Sequence, residues 1–129
     1  MYCKPIPITE WKTIKRGPYR VIVAKTPCEK QQGLQGAKKL PRKTILFFMG
    51  IRPNIFFHTR NCQFPIDIIP LTSGGRVLSI WGAYPGANFI GPTPPGTFNV
   101  VEAPLGWAEK NKIKVGDVLS MFAVGYCFK

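Results

Sequence analysis

Phe64-Pro65-Ile66-Asp67-Ile68-Ile69-Pro70-Leu71-Thr72-Ser73-Gly74-Gly75-Arg76-Val77-Leu78-Ser79-Ile80-Trp81 is the stretch whose reading decides the fold. Phe64 to Thr72 is apolar but interrupted by Pro65 and Pro70. Proline donates no hydrogen bond to a ladder, so this segment reads as an edge or bulged strand. Ser73-Gly74-Gly75 has the composition of a hairpin turn, and Arg76 to Trp81 supplies the returning strand.

Working outward, the neighbouring segments are strand-like as well. Upstream, Thr44 to Met49 is continuously apolar and reads as a buried strand, with Ile55 to His58 as another; Tyr19 to Ala24 alternates in the manner of a strand. Between them, Thr26-Pro27-Cys28-Glu29 has the residues of a capping box with proline at the first helical position. A short helix is expected to about Gln32, ended by Gly33 or Gly36. Downstream, residues 82–96 hold four prolines and four glycines and form one long loop. Phe98 to Val101 is a strand, and Leu105 to Lys112 is a short helix containing Trp107. Val115-Gly116-Asp117 is a turn, and Val118 to Phe128 is a last apolar strand that must be central or covered. The expected class is α+β, mainly β, with a small curled or barrel-like sheet and two short helices. Residues 1–18 read as a basic extended arm and 19–129 as a single β-rich domain.

Charge is distributed unevenly over these segments. The formal net charge is +12, but residues 1–60 carry 13 Lys or Arg against only Glu10 and Glu29, whereas residues 61–129 carry 5 basic and 4 acidic side chains. An excess so one-sided points to an anionic partner. The candidate partner-binding residues are Lys4, Lys12, Lys15, Arg16, Arg20, Lys38, Lys39, Arg42 and Lys43. Hydrophobic residues make up 45% of the 129, enough to drive folding of one core. No run approaches the ~18 apolar residues of a spanning helix, so membrane insertion is not expected. Met1 to Pro7 lacks the pattern of a secretory signal, which makes cytoplasmic synthesis the expectation. Cys3, Cys28, Cys62 and Cys127 are scattered, and free buried thiols are expected, with a Cys3–Cys127 pair as the alternative.

Several stretches carry a family resemblance. Phe57-His58-Thr59-Arg60-Asn61-Cys62-Gln63-Phe64-Pro65-Ile66-Asp67-Ile68 resembles the central motif, close to FWMKNTLIPLDI, of the uncharacterised ancient conserved region family, a domain of unknown function. Ala24 to Leu34 is similar to that family's capped helix, and Ser73-Gly74-Gly75-Arg76-Val77 to its hairpin. Val101 to Glu109 and Ile113 to Val118 resemble its C-terminal signature. The resemblance spans about residues 19–122 and implies a compact β-rich fold with two short helices, but no activity. His58 and Thr59 stand where the family has an aromatic and Met, and Gln35 where Met follows Gly-Leu.

A catalytic site would start from His58, the only histidine, with Cys62 as nucleophile and Asp67 as orienting carboxylate. His58 occupies a packing position of the family motif, and Asp67 lies in an apolar run where it is expected to accept backbone hydrogen bonds. No enzyme activity, metal or cofactor is therefore expected. Scattered Cys with one His lack the close ligand pairs of zinc sites, and Gly74-Gly75 lacks the Lys-Ser/Thr of a phosphate loop. The leading expectation is a non-catalytic structural or interaction module that docks on an acidic protein surface in a larger assembly, such as a virion as a capsid accessory. A small-ligand, sugar-like site built from Trp81, Tyr84, Phe89 and Trp107 is the first alternative. Nucleic acid is the other candidate partner, on charge alone.

Overall fold

The computed structural model describes Ile8, Trp11 and residues 13–122. Its elements are β1 (Thr13–Arg16), β2 (Tyr19–Ala24), α1 (Pro27–Gln32), β3 (Thr44–Met49), β4 (Ile66–Leu71), β5 (Trp81–Ala83), β6 (Asn99–Pro104), α2 (Trp107–Lys110) and a 3₁₀ turn at Ser120–Phe122. The six strands form one open sheet in the order β1-β2-β3-β6-β4-β5. The α+β, mainly β class with two short helices holds, and among the described residues the sheet has two ends rather than closing into a barrel. β2 and β3 are parallel, as a crossover through α1 requires, and the other pairs are antiparallel.

Strand residues alternate between two buried faces. Ile22, Ala24, Leu46, Phe48, Ile66, Ile68 and Val100 face one side, with Leu34, Leu40, Ile51 and Trp11 packed over them. Val21, Val23, Ile45, Phe47, Ile69, Leu71, Val101 and Ala103 face the other, covered by Val77, Ala108 and Phe122. Because both faces are covered, the central strands read as unbroken apolar runs. On the second face the Phe47 and Phe122 rings stack at 5.3 Å.

α1 forms as its sequence dictates. The Thr26 hydroxyl accepts from Glu29 N at 3.1 Å, the Glu29 carboxylate accepts from Thr26 N at 2.9 Å, Pro27 opens the helix and Gly33 ends it. The hairpin turn also forms, with Gly75 at φ 87° donating to Thr72 O.

Other expectations are corrected by tertiary context. β4 is not an edge strand: all six of its residues are buried and it lies between β6 and β5. Proline is tolerated because the Pro70 carbonyl accepts from Leu78 N, on the β5 side where regular pairing has already ended at Ile68–Trp81. The missing N–H points the same way and costs β6 nothing. Residues 55–58 contribute only the bridge Phe57–Ile90, and 76–81 only bridges at Arg76 and Val77 before β5. The expected strand at 98–101 runs instead over Asn99–Pro104, and the second helix is shortened to Trp107–Lys110. Of the expected last strand, Val118 makes only a bridge with Arg76 and Ser120–Phe122 is a 3₁₀ turn, while residues 123–128 lie outside the described residues. Thr13–Arg16 of the expected arm pairs with β2, and Trp11 is buried in the first core. Cys28 is disulfide-bonded, against the expectation of a free thiol; Cys62 is free and buried. Cys3 and Cys127 lie outside the described residues.

Candidate functional sites

A cavity of about 240 Å³ lies between the C-terminal part of α1 and the segment that follows β3. Its walls come from residues 30–35 on one side and 55–62 on the other, with Phe48, Ile66 and Glu102 beneath. Glu102 is placed by register: on β6 it stands between Leu46 of β3 and Ile68 of β4, so its side chain emerges on the first apolar face. It is 4% exposed, and no described residue hydrogen-bonds its carboxyl. Burial pushes its pKa up from the ordinary 4.5 to about 8, so the carboxyl is mainly protonated at neutral pH.

Two further polar groups line the cavity. The Cys62 thiol donates to Phe64 O at 3.4 Å; burial raises its pKa, and Glu102 acts in the same direction. The His58 Nδ1 accepts from Arg60 N at 3.2 Å, and burial followed by the Arg60 charge lowers the imidazole pKa. All three groups are thereby biased to their neutral forms, which leaves Lys30 and Arg60 as the charged members of the lining. Thr59 fixes this wall: its Oγ1 donates to Tyr84 O at 2.7 Å and accepts from Ala87 N at 2.9 Å. The long Pro/Gly loop is thus tied along residues 55–59, with Thr93 N donating to Ile55 O farther on.

A groove of about 500 Å³ lies on the other side of the molecule, where β2 and β3 begin beside α2. Tyr19, Leu105 and Trp107 supply apolar surface, and Arg42, Lys43 and Lys110 supply three exposed cations, with no Asp or Glu in the lining. Tyr19 meets Trp107 edge to face at 5.7 Å and donates through its hydroxyl to Asn111 Oδ1 at 2.7 Å. Trp107 Nε1 is buried without a hydrogen-bond partner.

Residues 10–121 match the model of the family described as Uncharacterized ACR, a domain of unknown function (DUF192). The chain belongs to this family. A solved structure of a protein of unknown function from Novosphingobium aromaticivorans DSM 12444 is similar, at 30% identity and TM-score 0.70, over 78% of this chain and 73% of that one. A putative transcription regulator from Sinorhizobium meliloti 1021 shares the fold at 23% identity and TM-score 0.68, over 78% and 79% of the two chains. No curated protein matches the chain.

The family's motif residues divide between the two sheet faces. Asp67 accepts from Gly106 N and Ala108 N, capping the start of α2 on the second face, while His58 and Cys62 line the cavity of the first. The three members of the hypothetical triad are thus not assembled. Among the basic residues, Arg42 and Lys43 meet in the groove. Lys15 and Arg20 are register partners across β1 and β2, and their exposed side chains belong to the first face; Lys38 and Lys39 are exposed between α1 and β3. Arg16 ends β1, and Lys4 and Lys12 lie outside the described residues. Of the four aromatics, Trp81 packs on the first core and Trp107 on the second, while Tyr84 and Phe89 are exposed. Sequence reasoning missed Glu102 and Lys110. The alternation within β6, which puts Glu102 on the same face as Val100, was the available signal for the first.

Proposed function

We propose that this domain acts by binding rather than by catalysis, as an interaction module that receives an acidic protein segment in the groove between β2, β3 and α2. The observation that carries the reading is the convergence of Arg42, Lys43 and Lys110 on an apolar floor that has no carboxylate. Charges left unpaired around apolar surface favour a partner that brings both acid and apolar groups. Nucleic acid is less well served. Tyr19 and Trp107 meet edge to face and Trp107 is half-buried against the second core, so the pair does not form a flat stacking platform beside the cations. The exposed Phe56–Phe89 pair is not part of the groove lining. The charge asymmetry supports an acidic partner, and a larger assembly such as a virion, with the chain as a capsid accessory, is one setting that would supply it.

Fluorescence anisotropy with a Glu-rich peptide and with an oligothymidylate of equal charge tests the assignment. Arg42→Glu with Lys43→Glu, and separately Lys110→Glu, should each weaken the peptide by about tenfold or more. Tighter binding of the oligonucleotide, or no loss in the variants, would reject it. The cavity beneath α1 favours small-ligand binding as a second reading, because it holds an unpartnered buried carboxyl.

A further inference from the structure

We propose that the cavity beneath α1 binds a small zwitterion of amino-acid size, with its ammonium group on Glu102 and its anionic group at the mouth beside Lys30 and Arg60. The inference rests on the small-ligand reading of that cavity and is independent of the basic groove.

Three observations converge on this ligand class. Glu102 lines the cavity, is 96% removed from solvent and receives no hydrogen bond from a described residue. An unpartnered polar group at such depth is costly, and a donor entering the cavity removes that cost. The adjoining walls include Phe48 and Phe57, set edge to face at 5.6 Å, and aromatic surface attracts an ammonium ion. At the mouth, Lys30 has no carboxylate partner among the described residues, and Arg60 is tied only through Nη1 to the neutral Asn88 amide at 2.9 Å. A neutral polyol also satisfies Glu102, but it leaves both cations unused. The volume, about 240 Å³, is that of about eight waters, which limits the ligand to roughly ten non-hydrogen atoms.

Binding should be linked to a proton. Glu102 holds its proton at neutral pH, and an ammonium seated on it stabilises the carboxylate, so the proton leaves as the ligand enters. The other titratable or charged groups facing the cavity are Lys30, His58, Arg60 and Cys62. His58 and Cys62 are biased to their neutral forms and supply no competing charge.

Isothermal titration calorimetry of the whole chain with the common amino acids as a panel, ethanolamine as an amine without the anion, and glucose as a neutral polyol provides the test. At pH 7, comparison of buffers with different ionisation enthalpies should show release approaching one proton per bound amino acid, declining at pH 9. Glu102→Gln keeps the side-chain size and removes the charge; with folding confirmed by near-UV circular dichroism, it should lose about tenfold or more in affinity. Arg60→Ala should weaken amino acids several-fold while leaving ethanolamine unchanged. Absence of amino-acid binding at millimolar concentration, or binding indifferent to Glu102→Gln, would overturn the proposal. Glucose binding that depends on Glu102 without proton release would also overturn the ligand class, while leaving small-ligand binding at this cavity intact.

Discussion

Asp67 on β4 holds Ala108 of α2 through a 2.9 Å hydrogen bond from the Ala108 backbone N–H, and its second oxygen accepts from Gly106 N at 3.2 Å. The carboxylate thereby serves donors at the start of a helix that has no side-chain cap of its own, since Gly106 stands at the cap position. Asp67→Ala leaves these groups without their partner and should cost about 1–3 kcal/mol. Urea unfolding at pH 7 measures it, and an unchanged midpoint would refute the assigned role.

How much of this was legible in sequence depended on how local the determining contacts were. The capping box of Thr26 and Glu29 and the turn at Gly75 are settled within a few residues, and both formed as read. Asp67 was expected to accept backbone hydrogen bonds because an acid in an apolar strand has few other options. The place of β4 inside the sheet was not legible, because Pro70 is accommodated only by where β5 stops pairing. Glu102 was hidden for the same kind of reason: its burial follows from the register that sets Leu46 and Ile68 beside it. The groove was half visible, since Arg42 and Lys43 belong to the basic first half while Lys110 joins them only through the fold.

Glu102 should make stability fall with rising pH. Its folded pKa of about 8 lies above the ordinary 4.5, so between these values the folded state holds a proton that the unfolded chain has released. Stability therefore declines as pH rises through this interval, and the full penalty is reached above about 8. Glu102→Gln removes the dependence. Relative to the parent chain it should gain stability between pH 5 and 9, by on the order of a few kcal/mol. Denaturant midpoints for both proteins across that range are the measurement, and parallel curves would contradict the assigned burial.

Lys43 should separate stability from binding. It adopts φ 55°, a conformation unfavourable for a residue with a Cβ, and its carbonyl accepts from Arg20 N at 2.8 Å. Lys43→Gly relieves the backbone but loosens the unfolded chain, so stability should stay level or rise by up to about 1 kcal/mol. Affinity for a Glu-rich peptide should fall, because one of the three groove cations is gone. Thermal unfolding and anisotropy on the same preparation check both, and a large loss of stability would show that the Lys43 side chain also holds the fold together.

Thr59 provides the sharpest test of the wall that separates the cavity from the long loop. It is 1% exposed, and four hydrogen bonds join it to that loop: Thr59 N to Ala87 O, Gly86 N to Thr59 O, and the two made by its hydroxyl. Thr59→Val preserves shape and the backbone pair but deprives Tyr84 O and Ala87 N of their partner. Loss of stability by about 1–3 kcal/mol is expected, since the groups left behind have no replacement within the protein. Thr59→Ser keeps the hydroxyl and should recover most of it. Hydrogen exchange locates the effect: the Ala87 amide should exchange faster in the Val variant, while the β3 and β6 amides keep their protection relative to global unfolding. Uniform acceleration across the sheet would instead mean that the loop and the sheet unfold as one unit.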